Sequence, residues 1–296
     1  MPGSHLTRVG WLGLGAMGAP MARRLAASGT EVVGYDIDSA RLASLAADGI
    51  RAADSPAGAA DGADVLAVMV ATPAQASDVL FGPDGAVAAL PPSALILVMA
   101  TIGPEAIGAI AARTKGLGVG LVDAPVSGGV ARADAGELLF MVSGEPGQVA
   151  AVRPLIDVMA AQVAIAGPNA GDGQRLKLVN QLLCGVHIAA AAEALAFAEA
   201  IGLDPRACWE TVRHGAAGSF MLDDRGARML AGDFTEVRSA LNIFVKDMAM
   251  VTGAARQHSF PSPLASAAEQ QYLGGARAGL GRCDDSVLIE VLRGRP

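Results

Sequence analysis

Val9-Gly10-Trp11-Leu12-Gly13-Leu14-Gly15-Ala16-Met17-Gly18 is the stretch on which the reading of this chain turns. An apolar run feeds Gly-x-Gly-x-x-Gly, the pattern of a strand that turns sharply into a helix over a bound pyrophosphate. Gly13 permits the tight turn, Gly15 lets the backbone approach the phosphates, and Gly18 lets helix and strand pack closely. The phosphates then sit on unpaired N–H groups at a helix N-terminus. With 37 glycines in 296 residues such spacings arise easily, so the neighbouring residues must carry the case.

They do. Ala19-Pro20-Met21-Ala22-Arg23-Arg24-Leu25 has apolar positions three and four apart, as a helix requires, and Glu31-Val32-Val33-Gly34-Tyr35 reads as a second strand. That strand ends on Asp36, about 20 residues past the glycines, where an acidic side chain accepts hydrogen bonds from an adenosine ribose diol and repels a 2′-phosphate. NAD is therefore favoured over NADP. Asp38 is placed to cap the helix expected from Ala40 to Leu45.

Composition suits a soluble enzyme of two domains. The net charge of −7 and the absence of a Lys/Arg cluster argue against a nucleic-acid surface. Cys184, Cys208 and Cys283 are odd in number and too scattered for a zinc site, and no histidine spacing suggests metal binding, which points to a reducing cytoplasm and no metal. Met1-Pro2-Gly3-Ser4-His5 lacks the basic start and apolar core of a secretory signal and reads as a cloning remnant. Leu182 to Ala198 is apolar enough to suggest a membrane span. It contains His187 and Glu193, however, so a helix buried between protein layers is expected.

The first half alternates short apolar strands with helical segments: Val65–Met69, Leu95–Met99, Leu121–Ala124 and Leu138–Val142 follow the first βαβ unit. This is the pattern of an α/β Rossmann domain with a parallel-rich, doubly wound sheet, and its ligand belongs at the carboxyl ends of the strands. Three strand ends stand out, at Thr72, at Thr101 and at Asp123-Ala124-Pro125-Val126-Ser127-Gly128-Gly129. Beyond Gly167-Pro168-Asn169-Ala170 the pattern becomes all helical. The domains are placed at 6–168 and 169–296, the second opening on a helix from about Gln174 to Ala200, roughly 40 Å long at about 1.5 Å per residue. At least four shorter helices follow, with start signals at Asp204-Pro205 and Pro261 and a break at Gly232.

Lys177, Asn180, Gln181 and Cys184 share one face of the long helix, and Gly171 and Gly173 would let its start approach the strand-end loops closely. Partial burial or a cationic neighbour can bring a lysine toward neutrality and make it a proton acceptor.

Taken in order, Gly13-x-Gly15-x-Met17-Gly18-x-Pro20-Met21-Ala22, Asp123-Ala124-Pro125-Val126-Ser127-Gly128-Gly129, Gly171-x-Gly173-x-x-x-Lys177-x-x-Asn180-Gln181 and Lys246-Asp247 resemble the β-hydroxyacid dehydrogenase family from about residue 8 to residue 290. The resemblance implies a Rossmann domain and an all-α domain joined by a long helix, assembled as a homodimer or homotetramer. It implies Lys177 as the catalytic acid/base with Asn180 beside it. Ser127, Gly128 and Gly129 would hold the substrate carboxylate, with Gln181 and Lys246 also on the substrate. The implied cofactor contacts are Gly13, Gly15, Ala16, Met17, Gly18, Asp36, Thr72, Thr101, Lys246 and Asp247. For Asp247 a structural salt bridge is an equal expectation.

Two departures from the family pattern matter. Val98-Met99-Ala100-Thr101 replaces a strand end that in relatives carries an Asp and a second hydroxyl, and Asp36 stands where NADPH-using reductases often have Arg. The runs Lys177–Leu195 and Ala240–Asp247 look most like the L-threonate dehydrogenase branch, which implies NAD-dependent oxidation of a four-carbon sugar acid at the hydroxyl next to the carboxylate. His214, Asp223 and Asp224 are further candidates for its other hydroxyls, and His187 reads as a core histidine. The alternatives are a 3-hydroxyisobutyrate dehydrogenase or short-semialdehyde reductase with the same constellation, an imine reductase, which Lys177 and Asp36 disfavour, and a non-catalytic NAD-binding module.

Overall fold

A computed structural model describes residues 7–294, and Met1–His5 lie outside the described residues. The chain divides into two compact units, one running to Lys177 and the other starting at Leu178. The sequence boundary at 168/169 sits in the loop. Packing moves the division into the long helix, because the helix's first turn is hydrogen-bonded to strand ends of the first unit.

Among the described residues that unit has nine strands: β1 (Arg8–Leu12), β2 (Glu31–Tyr35), β3 (Ile50–Ala52), β4 (Val65–Val68), β5 (Leu95–Val98), β6 (Gly120–Asp123), β7 (Val126–Ser127), β8 (Leu138–Ser143) and β9 (Ala160–Gly167). Their order is β3-β2-β1-β4-β5-β6-β8-β7, with β9 also on β8. The first six are parallel and form the doubly wound Rossmann sheet, while β8 runs antiparallel to β6 and β7 and parallel to β9. The short strand β3 and the long edge strand β9 do not follow from the apolar pattern. None of the β9 residues is fully buried, although the strand contains the apolar run Val163-Ala164-Ile165-Ala166, as an edge strand allows.

The central strands feed two cores. Val65, Ala67 and Leu97 point into one, and Leu66, Val68, Ile96 and Val98 into the other. The alternation follows from the two-residue period of a strand, and burial on both faces explains why these strands read as continuous apolar runs.

The second unit is all helical after the long helix Asp172–Ala200: Pro205–Val212, Phe220–Ala231, Leu241–Gln257, Pro263–Arg277 and Leu288–Leu292, with short 3-10 turns before the last. Asp204 caps the first of these through the N–H groups of Arg206 and Ala207, and Gly232 ends the second in a left-handed conformation. The start signal read at Pro261 belongs two residues later, where Ser262 precedes Pro263 at the first helical position.

The core of this unit gathers Ile188, Leu195, Leu241, Phe244, Met248 and Tyr272. Tyr272 stacks on Phe244 with ring centroids 5.4 Å apart, and its hydroxyl donates to the Gly185 carbonyl at 2.9 Å. Gly185 leaves room for the Met248 side chain, whose sulfur would stand 2.2 Å from a Cβ there. The long helix is apolar and long enough to cross a membrane by composition, yet half of its most apolar window is buried within the protein.

Candidate active site

At the carboxyl end of β1 the chain makes the turn that the glycines require. Gly13 has φ +90°, and its N–H donates to the Tyr35 carbonyl at 2.9 Å. A Cβ on Gly13 would lie 2.5 Å from the Met69 carbonyl oxygen, and one on Gly18 2.0 Å from that of Gly13, whereas one on Gly15 would meet nothing within 4 Å. Two of the three glycines are thus fixed by close packing of the backbone. Gly15 faces open space, where a ligand can approach the main chain.

The buried Trp11 indole N–H donates to the Gly13 carbonyl at 2.9 Å and braces the turn. The helix Gly18–Ala27 that follows has no side-chain cap and no acidic residue in its first turn, so its N-terminal field is left for an anion. Beside it lies a cavity of about 360 Å³ lined by Gly15, Ala16, Arg23 and Arg41 among others. An open cradle, an uncapped helix N-terminus and nearby cations fit the pyrophosphate of a dinucleotide.

Asp36 directly follows β2, and it is not a carboxylate facing water. It is 9% exposed and accepts from Leu14 N at 2.7 Å, from Asp38 N at 2.9 Å and from Arg41 Nη1 at 3.2 and 3.3 Å. Asp38 caps the next helix through Ala40 N and Arg41 N. Arg41 carries no signal in the sequence, yet it is the half-exposed partner of the acid. Thr72 acts locally, its hydroxyl oxygen accepting Gln75 N–H in a reciprocal capping box at the start of Pro73–Phe81. Thr101 is half-buried in the turn after β5.

Ser127 closes β7, and Gly128 (φ +144°) and Gly129 (φ +76°) carry the chain into the helix Gly129–Ala135. Both φ values lie where a residue with a Cβ is strained, and the glycines let the chain turn there.

The start of the long helix is the most heavily bonded part of the unit. Asp123, fully buried at the end of β6, accepts from Gly171 N at 3.0 Å, Gln174 N at 3.1 Å and Ser143 Oγ at 3.1 Å on one oxygen, and from Gln174 Nε2 at 2.8 Å on the other. Gly173 N donates to Ser143 Oγ at 2.9 Å. The Gln174 amide also donates to the Ala100 carbonyl at 3.0 Å and accepts from Ile102 N at 3.1 Å and Gly103 N at 3.0 Å. Gly173 allows this approach, since a Cβ there would stand 2.5 Å from the Met141 carbonyl oxygen. Burial pushes the Asp123 carboxyl above the ordinary carboxylate range, against the lowering effect of the bonds from Gln174, Ser143 and Gly171.

Lys177, one turn past Gln174, is buried at 6% exposure, so the solvated lysine of an ordinary helix surface does not describe it. Gln174, Ser143 and the role of Asp123 are not legible in the sequence. The available signal is an acid inside an apolar strand, which when buried must find donors.

In the second unit, Asn180 and Gln181 continue the helix. Asn180 Oδ1 lies 3.7 Å from the Cys184 sulfur. Gln181 is buried, and its amide donates to Asp247, which also pairs with Lys246 Nζ at 2.8 Å. Asp247 is thereby a buried salt-bridge partner, and the amide donor of Gln181 is committed to it. Asp223 pairs with Arg213, Asp224 with Arg225 and Arg228, and His214 is exposed.

Residues 8–167 match the NAD binding domain of 6-phosphogluconate dehydrogenase, and residues 171–292 match the domain described as NAD-binding of NADP-dependent 3-hydroxyisobutyrate dehydrogenase. An L-threonate dehydrogenase of Cupriavidus necator is 40% identical, the match covering 97% of this chain and 96% of the relative. The L-threonate dehydrogenase of Escherichia coli strain K12 is 36% identical over 97% and 95%. Among solved structures, a 3-hydroxyisobutyrate dehydrogenase from Salmonella typhimurium superposes with a TM-score of 0.91 at 37% identity, covering 96% of this chain and 99% of that one.

Proposed function

The chain belongs to the β-hydroxyacid dehydrogenase family, and we propose that within it the protein oxidises a four-carbon sugar acid such as L-threonate with Lys177 as general acid/base. As a family member it is an NAD(P)-dependent dehydrogenase of small hydroxy acids, and the carboxylate of Asp36 favours NAD. The observation that carries the reading is a lysine buried one helical turn from a Gln that is bonded to the strand ends.

Ser127 and the N–H groups of Gly128 and Gly129 hold the substrate carboxylate and so orient the carbon that bears the adjacent hydroxyl. The Lys177 amine takes the hydroxyl proton in oxidation and returns it in reduction, with Asn180 beside it on the same helical face. When bound, NAD supplies the two-electron acceptor. Positioned acid–base help of this kind is worth about 10²–10⁴ in rate. Thr101 supports the nicotinamide ribose. Lys246, whose charge is matched by Asp247, is assigned to substrate and cofactor contact.

A cytoplasmic homodimer or homotetramer is the corresponding assembly. Three free cysteines support the compartment. The exposed stripe Leu176, Val179 and Leu183, at spacings of three and seven along the long helix, supports self-association.

The test is reduction of NAD and NADP over threonate, erythronate, tartrate, glycerate, 3-hydroxyisobutyrate and 3-hydroxypropionate. Threonate or erythronate with NAD should give the highest kcat/KM. Lys177→Ala should lower turnover by about 10²-fold or more while leaving NAD affinity unchanged. Loss of NAD affinity in that variant, with turnover spared, would refute the role given to Lys177.

A further inference from the structure

We propose that Gln174 is a positioning residue, clamping the first turn of the long helix so that the Lys177 amine stands in one place relative to the turn Ala100–Gly103. The proposal rests on the reading of Lys177 as the acid/base. The Gln174 side chain is 1% exposed and its amide makes four hydrogen bonds, two donated, to Ala100 O and Asp123 Oδ1, and two accepted, from Ile102 N and Gly103 N. A planar amide so engaged has one orientation. Turning it over would set its NH₂ against two N–H donors and its oxygen against a carbonyl and a carboxylate.

Its main-chain N–H is held as well, by Asp123 Oδ2. Residue 174 is therefore fixed at both ends, and the helix carries that constraint three residues on, about 4.5 Å along its axis, to Lys177.

Closing the helix N-terminus does not require this side chain. Asp123 already satisfies Gly171 N and Gln174 N, and Ser143 satisfies Gly173 N. What the Gln174 amide adds is a tie between the lysine's helix turn and the loop that carries Thr101. A displacement of about 1 Å at a reacting group can cost about 10²-fold in rate, so a tie of this kind acts on kcat rather than on binding.

The experiment uses the full chain with Gln174→Leu and Gln174→Glu beside Lys177→Ala. Leucine fills similar space without hydrogen bonds. The Glu variant keeps an acceptor for Ile102 and Gly103 but sets a second carboxylate against Asp123. Four quantities are measured: thermal midpoint, NAD affinity by titration, kcat and KM on the best hydroxy acid, and the pH dependence of Lys177 acetylation in the cofactor-free protein, read by peptide mass spectrometry.

The expected result for Gln174→Leu is a folded protein with NAD affinity and KM within about threefold of wild type, kcat lower by about 10²-fold, and a displaced pH midpoint for Lys177 labelling. Gln174→Glu should recover part of kcat as pH falls and the paired carboxylates share a proton. Wild-type kcat with an unchanged labelling profile overturns the proposal. So does a loss of kcat matched by an equal loss of NAD affinity with Lys177 labelling unmoved, which is structural damage alone. If Lys177→Ala keeps wild-type turnover, the acid/base reading is what fails, and the labelling profile still decides whether Gln174 places the amine.

Discussion

Asp36 and Asp123 both stand at the carboxyl ends of parallel strands, yet one is served mostly from its own neighbourhood and the other from across the fold. Two of the three groups that donate to Asp36, Asp38 N and Arg41, lie within five residues of it, and Arg41 is half-exposed. The donors to Asp123 come from Ser143, Gly171 and Gln174, 20 to 51 residues away, and none of that site meets water. The first arrangement is a rim that a ligand can share. The second is a hub that holds β6, β8 and the long helix together, buried away from the surface.

The largest effect that separates the two is on stability. Asp123→Ala should destabilise the protein by on the order of 3 kcal/mol or more, because four buried donor contacts lose their acceptor at once. Asp36→Ala should cost about 1 kcal/mol, water replacing part of what it held. Equal denaturation midpoints for the two variants would break the comparison.

Next comes the turn that serves the rim. Gly18→Ala should cost about 2 kcal/mol, since its methyl overlaps the Gly13 carbonyl. Gly15→Ala should melt like wild type yet lose NAD binding, its methyl entering the open cradle. A titration showing wild-type NAD affinity in Gly15→Ala would remove the cradle from the cofactor site.

Smaller still is the effect on cofactor choice. Asp36→Ala should weaken NAD by about tenfold and narrow the NAD/NADP preference, as loss of one charged acceptor implies; affinities for both cofactors measured side by side decide it. The smallest effect is in pH dependence. The Asp123 carboxyl is held above its unfolded value by burial, so its contribution is full below the unfolded pKa and declines as pH rises through the folded one. In Asp123→Asn that part of the slope of the thermal midpoint against pH, just above the ordinary carboxylate range, should vanish.

The same contrast explains what could be read in advance. The cofactor turn, Asp36, the Asp38 cap and the parallel strands are specified by residues close in sequence, and periodicity or a short motif exposes them. Lys177 is legible as part of a spaced motif, and its burial is not. Gln174 looks like any polar residue in a first helical turn, because its partners lie 51 and 71 to 74 residues away. Gln181 and Asp247 likewise give no sign in the sequence that they meet.

Spacing and residue type alone therefore determined a Rossmann unit with a dinucleotide turn, an acid at the end of its second strand, a helical second unit and a lysine at the start of the long helix. Only the tertiary structure decided which polar groups are spent on holding the fold and which remain for a ligand. A hydrogen bond between distant residues leaves no periodic trace in a chain, and the cost of burying a polar group is settled only by the partners that folding brings to it.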